Sequence, residues 1–161
     1  METKVVDIQN KVSSTGDYGG LGDRRITEQT ARKYRTKIKT NGSIISHHYY
    51  EYYNTEGSHV ATKVRQVEGK RIWSQGDMTD ALLFGQNLFK SGGKYITITE
   101  GEIDAMSAYE MLGSKWAVVS IKNGVQSAVQ NCKQHLEYLN SFENVVVCFD
   151  NDKPGIEASQ K

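Results

Sequence analysis

Short apolar strands alternate with helices through the second half of this chain, and this alternation constrains the fold more than any other feature. The pattern predicts, in order, strand 95–99, helix 102–112, strand 116–121, helix 125–140, strand 145–149 and a helix from Gly155. Continuous apolar strands separated by helices indicate an α/β fold, in which a parallel sheet carries helices on both faces and has right-handed crossovers. We therefore expect a βαβαβ domain at residues 94–161, truncated C-terminally because its last helix stops at Lys161.

The residues before this domain have a different pattern. Residues 1–22 are rich in turn-forming residues and lack periodicity, which predicts a flexible tail or linker. Thr27, which precedes an acidic residue, is typical of the start of a short helix. Aromatic residues at 47–53, a turn and alternating residues at 58–65 predict a half-exposed hairpin within a small antiparallel meander. Residues 23–93 are therefore expected to form a small, basic α+β subdomain.

Composition excludes several classes of protein. A formal net charge of +1 provides no overall attraction to nucleic acid, so any such affinity must come from local patches. No apolar run approaches the roughly 20 residues that cross a bilayer, so we expect no membrane partner. Cys132 and Cys148 cannot supply the four ligands of a structural zinc ribbon, and no zinc is expected in this chain.

Acidic side chains follow two of the predicted strands. Glu100 follows the first strand of the domain, and Asp150 and Asp152 follow the third. Parallel strands deliver their carboxyl ends to one edge of a sheet, so we expect these carboxylates to converge. Clustered carboxylates that face water are typical of a Mg²⁺ site. A simpler interpretation stays open for single acids, since Glu102, Asp104 or an aspartate of the later cluster could stabilise the start of a helix.

Three strings in this domain resemble the Toprim domain of bacterial-type primases, topoisomerases and some nucleases. They are Glu100-Gly-Glu-Ile-Asp104, Asn123-Gly124 and Asp150-Asn-Asp152. The resemblance is greatest to the primase half of T7-type phage primase-helicases, to which the mitochondrial helicase Twinkle is related. It extends upstream through three more strings, which are Asp23-Arg-Arg-Ile-Thr-Glu-Gln-Thr, Lys63-Val-Arg65 and Asp80-Ala-Leu-Leu-Phe-Gly85.

The resemblance implies a nucleotidyl-transfer site at the carboxyl edge of the sheet. Asp150 and Asp152 would bind Mg²⁺, or Mn²⁺ in its place, and Asp104 would be a further catalytic acid. Glu100 would bind the metal directly or through water, or act as the general base on the 3′-hydroxyl, and the sequence leaves these alternatives open. In such sites the metal stabilises the negative charge that builds up on phosphate oxygens.

Positive side chains of the meander complete the expected site. Lys63 and Arg65 share one face of a strand, and Lys70 and Arg71 lie at the next turn. All four are expected to bind nucleotide or template phosphates, although each could also belong to a solvated strand face. The tyrosines at 49–53 could stack on bases, but core packing explains alternate tyrosines better.

Together these features predict a DNA primase core that makes short RNA primers from ribonucleoside triphosphates on single-stranded DNA, in the host cytoplasm if a phage encodes it. The chain has no P-loop motif, so a helicase domain is expected elsewhere in the parent protein. A Toprim nuclease and a non-catalytic DNA-binding module of a replicative helicase are the alternatives. The basic meander favours the primase over the nuclease.

Overall fold

A computed structural model describes residues 15–161 of the chain. The strands are β1 (Thr36–Asn41), β2 (Ile44–Tyr53), β3 (His59–Gln66), β4 (Ile72–Gly76), β5 (Gly93–Thr99), β6 (Ala117–Ser120) and β7 (Phe142–Cys148). The α-helices are α1 (Glu28–Lys33), α2 (Glu102–Met111), α3 (Ala128–Gln134), α4 (Leu136–Asn140) and α5 (Lys153–Ser159). None of these helices is long and apolar enough to cross a membrane. The strands form an antiparallel sheet, β1-β2-β3-β4, and a parallel sheet, β6-β5-β7.

The parallel sheet confirms the predicted βαβαβ arrangement. β5 lies in the middle, with Thr99 opposite Ser120 of β6 and Cys148 of β7, so the three strands end at one edge. The helix predicted over 125–140 is interrupted between α3 and α4, because His135 takes a non-helical backbone with φ −114° and ψ 22°.

β7 is an edge strand of this sheet and is more exposed than its apolar sequence predicts. Val145, Val146 and Val147 are 42%, 44% and 45% exposed, and the Cys148 thiol is exposed as well. Among the described residues, no strand pairs with the outer edge of β7. Within the described residues, β7 is therefore only partly buried, although its continuous apolar sequence is typical of a fully buried strand.

The antiparallel sheet confirms the meander and adds β1 before it. α1 begins as expected at Thr27, whose side-chain oxygen accepts a hydrogen bond from the backbone N–H of Thr30 at 3.3 Å. β3 is not the half-exposed strand that its alternation predicts, since Ala61 and Val64 on its two faces are both fully buried. β3 lies between β2 and β4, and its neighbours and the parallel-sheet domain cover it.

Residues 15–22, which the composition places in a tail, contact the antiparallel sheet. Asp17 pairs with Ile38 of β1 through two backbone hydrogen bonds of 2.9 Å, and Leu21 is fully buried in the core. Turn-forming residues are also common in loops that cross a packed surface, and here such a loop leads to the start of α1. The rest of the predicted tail, residues 1–14, lies outside the described residues.

Aromatic packing joins the two sheets into one core. Tyr34, which follows α1, stacks on Phe84 with ring centroids 5.5 Å apart, and its hydroxyl donates to the Val118 carbonyl at 2.9 Å. Phe84 and Ser120 exchange two backbone hydrogen bonds of 3.1 Å, which attach the segment between β4 and β5 to β6. Tyr50 of β2 packs edge-on against Phe84 and is 1% exposed, so it belongs to the core rather than to a base-stacking surface.

Candidate active site

Glu100 and Asp150 lie side by side at the carboxyl edge of the parallel sheet. Glu100 directly follows β5, and Asp150 comes shortly after the end of β7. These strands are neighbours, so the loops that leave them meet, and the Asp150 N–H donates to Glu100 Oε2 at 3.5 Å. The structure thus brings together the two acidic strand ends that the sequence predicts to converge.

Asp104 joins these acids from the first turn of α2. The turn begins at Gly101, whose missing side chain leaves room for the Asp104 carboxylate: a Cβ at position 101 would lie 2.8 Å from Asp104 Oδ2. Asp104 and Asp150 line the same cavity, which has a volume of about 240 Å³. Asp104 is therefore a member of the acidic cluster as well as a first-turn acid of a helix.

Desolvation and repulsion disfavour the charged forms of Glu100 and Asp104. Desolvation raises the pKa of Glu100, and the negative charges of Asp150, Asp152 and Asp104 raise it further, while the hydrogen bond from the Asp150 N–H opposes the shift. Desolvation also raises the pKa of Asp104, with the Asp150 charge as the next contribution. Carboxyl groups in such surroundings are typical of sites that bind cations or move protons.

Asp152 has a helix-capping role in this structure. Its Oδ1 accepts a hydrogen bond from the Gly155 N–H at 2.8 Å, which makes it the N-cap of α5. Asp152 is not among the side chains that line the cavity, although its charge reaches Glu100. The helix-start interpretation of the later acidic cluster therefore describes Asp152 here, and its role as a metal ligand stays a prediction.

Three basic side chains, Arg24, Lys63 and Arg65, line the cavity together with acidic ones, and we call the two sets its basic wall and its acidic wall. The acidic wall consists of Glu102, Asp104 and Asp150, with Glu100 beside it. The two walls come from different parts of the fold, since Lys63 and Arg65 lie on β3, Arg24 lies in a turn before α1, and the acids follow strands of the parallel sheet. A cavity with one positive and one negative wall suits a ligand in which phosphate groups and cations occur together.

Lys63 of the basic wall is bound to the parallel-sheet domain. Its Nζ donates to Glu102 Oε1 and to the carbonyl of Lys122, and the two charged side chains are only 12% and 11% exposed. The hydroxyl of Tyr52 donates to the same Glu102 oxygen. Glu102 therefore anchors β3 to α2. Its position in the sequence alone suggests only an acid that stabilises the start of a helix.

Arg65 is the member of the wall with unused hydrogen-bonding capacity. Its Nε is buried and has no hydrogen-bond partner among the described residues. Lys70 and Arg71 lie in the exposed turn before β4 and do not line the cavity. The structure therefore brings Lys63 and Arg65, but not Lys70 and Arg71, to the acidic cluster.

Arg24 is a site residue that the sequence analysis did not single out. The adjacent Asp23 accepts from the buried His48, with Oδ1 and Nε2 3.1 Å apart, and His48 Nδ1 lies 3.1 Å from the Tyr50 hydroxyl. Burial lowers the pKa of His48, which keeps the ring neutral near pH 7. This chain of contacts holds the turn that carries Arg24. The only signal for Arg24 in the sequence is the upstream string that begins at Asp23.

The donor chemistry of the acidic wall fits Mg²⁺. Glu100, Asp104 and Asp150 offer carboxylate oxygens, which Mg²⁺ prefers, and a cation would relieve the repulsion that raises the pKa values of Glu100 and Asp104. Within residues 15–161, no group of three or more His, Cys, Asp or Glu side chains is close enough to hold an ion by itself. Mg²⁺ commonly keeps several waters and takes ligands from substrate phosphates, so one or two carboxylates are enough to bind it.

Comparison with known proteins identifies relatives for both halves of the chain. Residues 97–161 match a family model described as Toprim-like. The chain is 33% identical over 158 residues to the DNA helicase/primase of Enterobacteria phage T3, a match that covers 96% of this chain. The chain spans 27% of the length of that relative.

Solved structures match the same span. The primase fragment of the bacteriophage T7 primase-helicase is 34% identical, with a TM-score of 0.81, and the match covers 90% of this chain and 59% of that one. A second match has the same identity and a TM-score of 0.80, and covers 90% of this chain and 72% of the other. It belongs to a structure of the T7 lagging-strand DNA polymerase interacting with primase domains of two gp4 subunits bound to an RNA/DNA hybrid and dTTP.

Proposed function

Because this chain belongs to the Toprim-containing primase family, as a homologue of the primase fragment of the T7 primase-helicase, we propose that it is the catalytic core of a DNA primase. It joins ribonucleoside triphosphates into short RNA primers on single-stranded DNA, with Mg²⁺ as cofactor. The name of the phage T3 relative suggests that a helicase domain belongs to the same parent protein.

The observation that carries this proposal is a single cavity lined by both basic and acidic side chains. Arg24, Lys63 and Arg65 line it together with Asp104 and Asp150. Nucleotidyl transfer needs both kinds of group, because phosphates must be held while the negative charge of the reaction is stabilised. A nuclease holds one phosphodiester at its acids, whereas a polymerase must in addition hold the triphosphate of the incoming nucleotide, for which the three basic side chains of the cavity are suited.

The acidic residues have distinct parts in the proposed reaction. Asp150 and Asp104 hold Mg²⁺ from the cavity side, and Asp152 adds to the negative field from the helix that it caps. When bound, Mg²⁺ orients and neutralises the phosphate oxygens at which charge develops. Glu100 either binds the same ion or takes the proton of the primer 3′-hydroxyl. A Glu100→Gln variant separates these roles, because loss of a metal ligand weakens Mn²⁺ binding, whereas loss of the base lowers kcat and leaves Mn²⁺ binding unchanged.

The basic residues bind the phosphates. Arg65 is best suited, because its buried Nε lacks a partner among the described residues and its planar guanidinium can make two parallel hydrogen bonds to a phosphate. Arg24 approaches the same cavity from the turn beside β2. Lys63 contributes positive charge while it remains bound to Glu102. Lys70 and Arg71, on the exposed turn, are proposed to contact template outside the cavity.

A primer-synthesis assay tests the proposal in the full-length parent protein, with single-stranded DNA, labelled ribonucleotides and Mg²⁺. We expect oligoribonucleotide products, and a loss of about 100-fold or more in an Asp150→Asn variant, as for other groups that stabilise reaction charge. Glu137→Gln is a control, since Glu137 lies on α4, away from the cavity. DNA degradation without synthesis, abolished by Asp150→Asn, would identify a nuclease; full synthesis by Asp150→Asn would refute the proposed site.

A further inference from the structure

Gly155, in the first turn of α5, lies closer to the backbone of Asp150 than any other residue type could. A Cβ built at position 155 would be 2.1 Å from the Asp150 carbonyl oxygen, 3.0 Å from its carbonyl carbon and 3.2 Å from its nitrogen. Real Cβ atoms essentially never lie within 3.0 Å of another heavy atom. Gly155 does not have the positive φ that favours glycine, so space rather than backbone conformation requires glycine here.

The first turn of α5 is fixed in a way that maintains this close approach. Asp152 Oδ1 accepts from the Gly155 N–H at 2.8 Å, and the Asp152 carbonyl accepts from Ile156 at 3.0 Å. Pro154 stands in the same turn, where its restricted φ suits the start of a helix. Gly155 itself is buried. Asp150 therefore packs against a rigid turn.

The other side of Asp150 faces the second acid of the site. Its N–H donates to Glu100 Oε2 at 3.5 Å, while its carbonyl touches Gly155. A side chain at position 155 would push the Asp150 backbone away from α5 and change its position relative to Glu100. The neighbouring backbone cannot rotate out of the way as a side chain would.

We propose that Gly155 is a positioning residue, which sets the backbone of Asp150 so that its carboxylate binds the catalytic metal ion. This inference rests on the proposed function, since it assigns Asp150 to the metal. It gives the Pro154-Gly155 pair a role beyond that of a turn into α5. Gly155 acts through Asp150 and touches neither nucleotide nor metal.

Two other glycines, Gly101 and Gly22, have more space around them than Gly155 has. A Cβ at Gly101 would meet only the end of the Asp104 side chain, at 2.8 Å, and that carboxylate can rotate. A Cβ at Gly22 would meet nothing within 4 Å, and Gly22 also lacks a positive φ. Gly22→Ala is therefore the matched control for Gly155→Ala, because both add one methyl group without backbone strain.

Metal binding tests the inference independently of synthesis. In the full-length protein, Mn²⁺ is titrated by electron paramagnetic resonance and Mg²⁺ by calorimetry, and thermal unfolding is followed without metal. We expect Gly155→Ala to weaken metal binding about tenfold or more, comparable to the loss on disturbing residues around a metal site. The Mg²⁺ concentration for half-maximal synthesis should rise in parallel, and Gly22→Ala should match the wild type in both measurements.

Unchanged metal affinity in a folded Gly155→Ala variant would overturn the inference. If that variant does not fold, Pro154→Gly replaces it, because it adds no atoms to the contact and removes the restriction on φ in the first turn of α5. We then expect metal binding about twofold weaker or more, since a turn that moves in the folded state no longer fixes the Asp150 backbone, and an unchanged affinity would again refute the inference. Normal metal binding by a wild type that makes no primers would instead refute the proposed function.

Discussion

The two walls of the cavity are built by different structural means. The basic wall depends on β3, where Lys63 and Arg65 share a face because side chains alternate along a strand. The acidic wall consists of residues that follow strands or begin helices, so its geometry depends on how loops meet at the edge of the parallel sheet. The positions of Lys63 and Arg65 are therefore fixed by local pattern, whereas the acids depend on strand register and helix starts, and Arg24 depends on the contact of its turn with β2.

The walls also differ in how their charges are compensated. Lys63 is paired with Glu102 in a nearly buried ion pair. Among the described residues, no ion pair involves Glu100 or Asp104, and desolvation together with neighbouring acids raises the pKa of each, although the Arg65 charge opposes the shift at Asp104. The ion pair thus joins the two walls, whereas Glu100 and Asp104 carry unfavourable charge that a cation would relieve.

The largest expected effect concerns the ion pair that joins the walls. Lys63→Met should lower the free energy of unfolding by about 3 kcal/mol, because it leaves Glu102 buried and unpaired. Lys63→Met with Glu102→Gln should recover most of that loss, since the amide keeps an acceptor for Tyr52 without the charge. Urea unfolding measures both.

Lys70→Met, on the exposed turn, is the control for the ion-pair variants and should change the free energy of unfolding by less than about 0.5 kcal/mol. Equal effects at positions 63 and 70 would show that the Lys63–Glu102 contact does not join the two sheets in solution.

A second prediction separates binding from stability on the basic wall. Arg65→Met should raise the KM for ribonucleoside triphosphates about tenfold, since hydrogen bonds to charged groups contribute about 1.5–3 kcal/mol each. Steady-state primer synthesis at fixed Mg²⁺ gives the KM, and urea unfolding should show a smaller loss of stability than for Lys63→Met. Lys70→Ala should leave the KM for nucleotide nearly unchanged, and a KM for Arg65→Met equal to that of wild type would remove Arg65 from the nucleotide site.

The smallest expected effect tests the unfavourable charge of Asp104 in the acidic wall. The folded state raises the pKa of Asp104 above its ordinary value of 3.8, so the ionised carboxyl lowers stability at neutral pH. Asp104→Asn should therefore raise the melting temperature at pH 7. The difference in melting temperature between the variant and the wild type should shrink as pH falls through the raised pKa of Asp104. It should vanish below the ordinary pKa, where the carboxyl is protonated in both the folded and the unfolded state. Calorimetry between pH 7 and pH 3.5 measures it, and a variant less stable at pH 7 would contradict the prediction.

Much of the parallel domain could be predicted because its signals are local. Apolar strands, helix starts and the acids that follow Thr99 and Cys148 indicated both the sheet and the meeting of Glu100 with Asp150. β1 and the packed segment around Leu21 were harder to recognise, because lysines and turn residues there resemble solvated surface. Their burial depends on partners that are distant in sequence, such as the pairing of Asp17 with Ile38.

The sequence by itself determined the βαβαβ frame, the antiparallel meander and the edge at which the acids gather, because strand and helix periodicities are properties of short segments. Tertiary structure alone decided which charged side chains remain available to bind a ligand. It bound Lys63 to Glu102, left Arg65 facing the cavity, brought in Arg24 and gave Asp152 to a helix end. The physical reason is that a charged side chain is defined by the partners and solvent around it, and those come from parts of the chain that only the fold brings together.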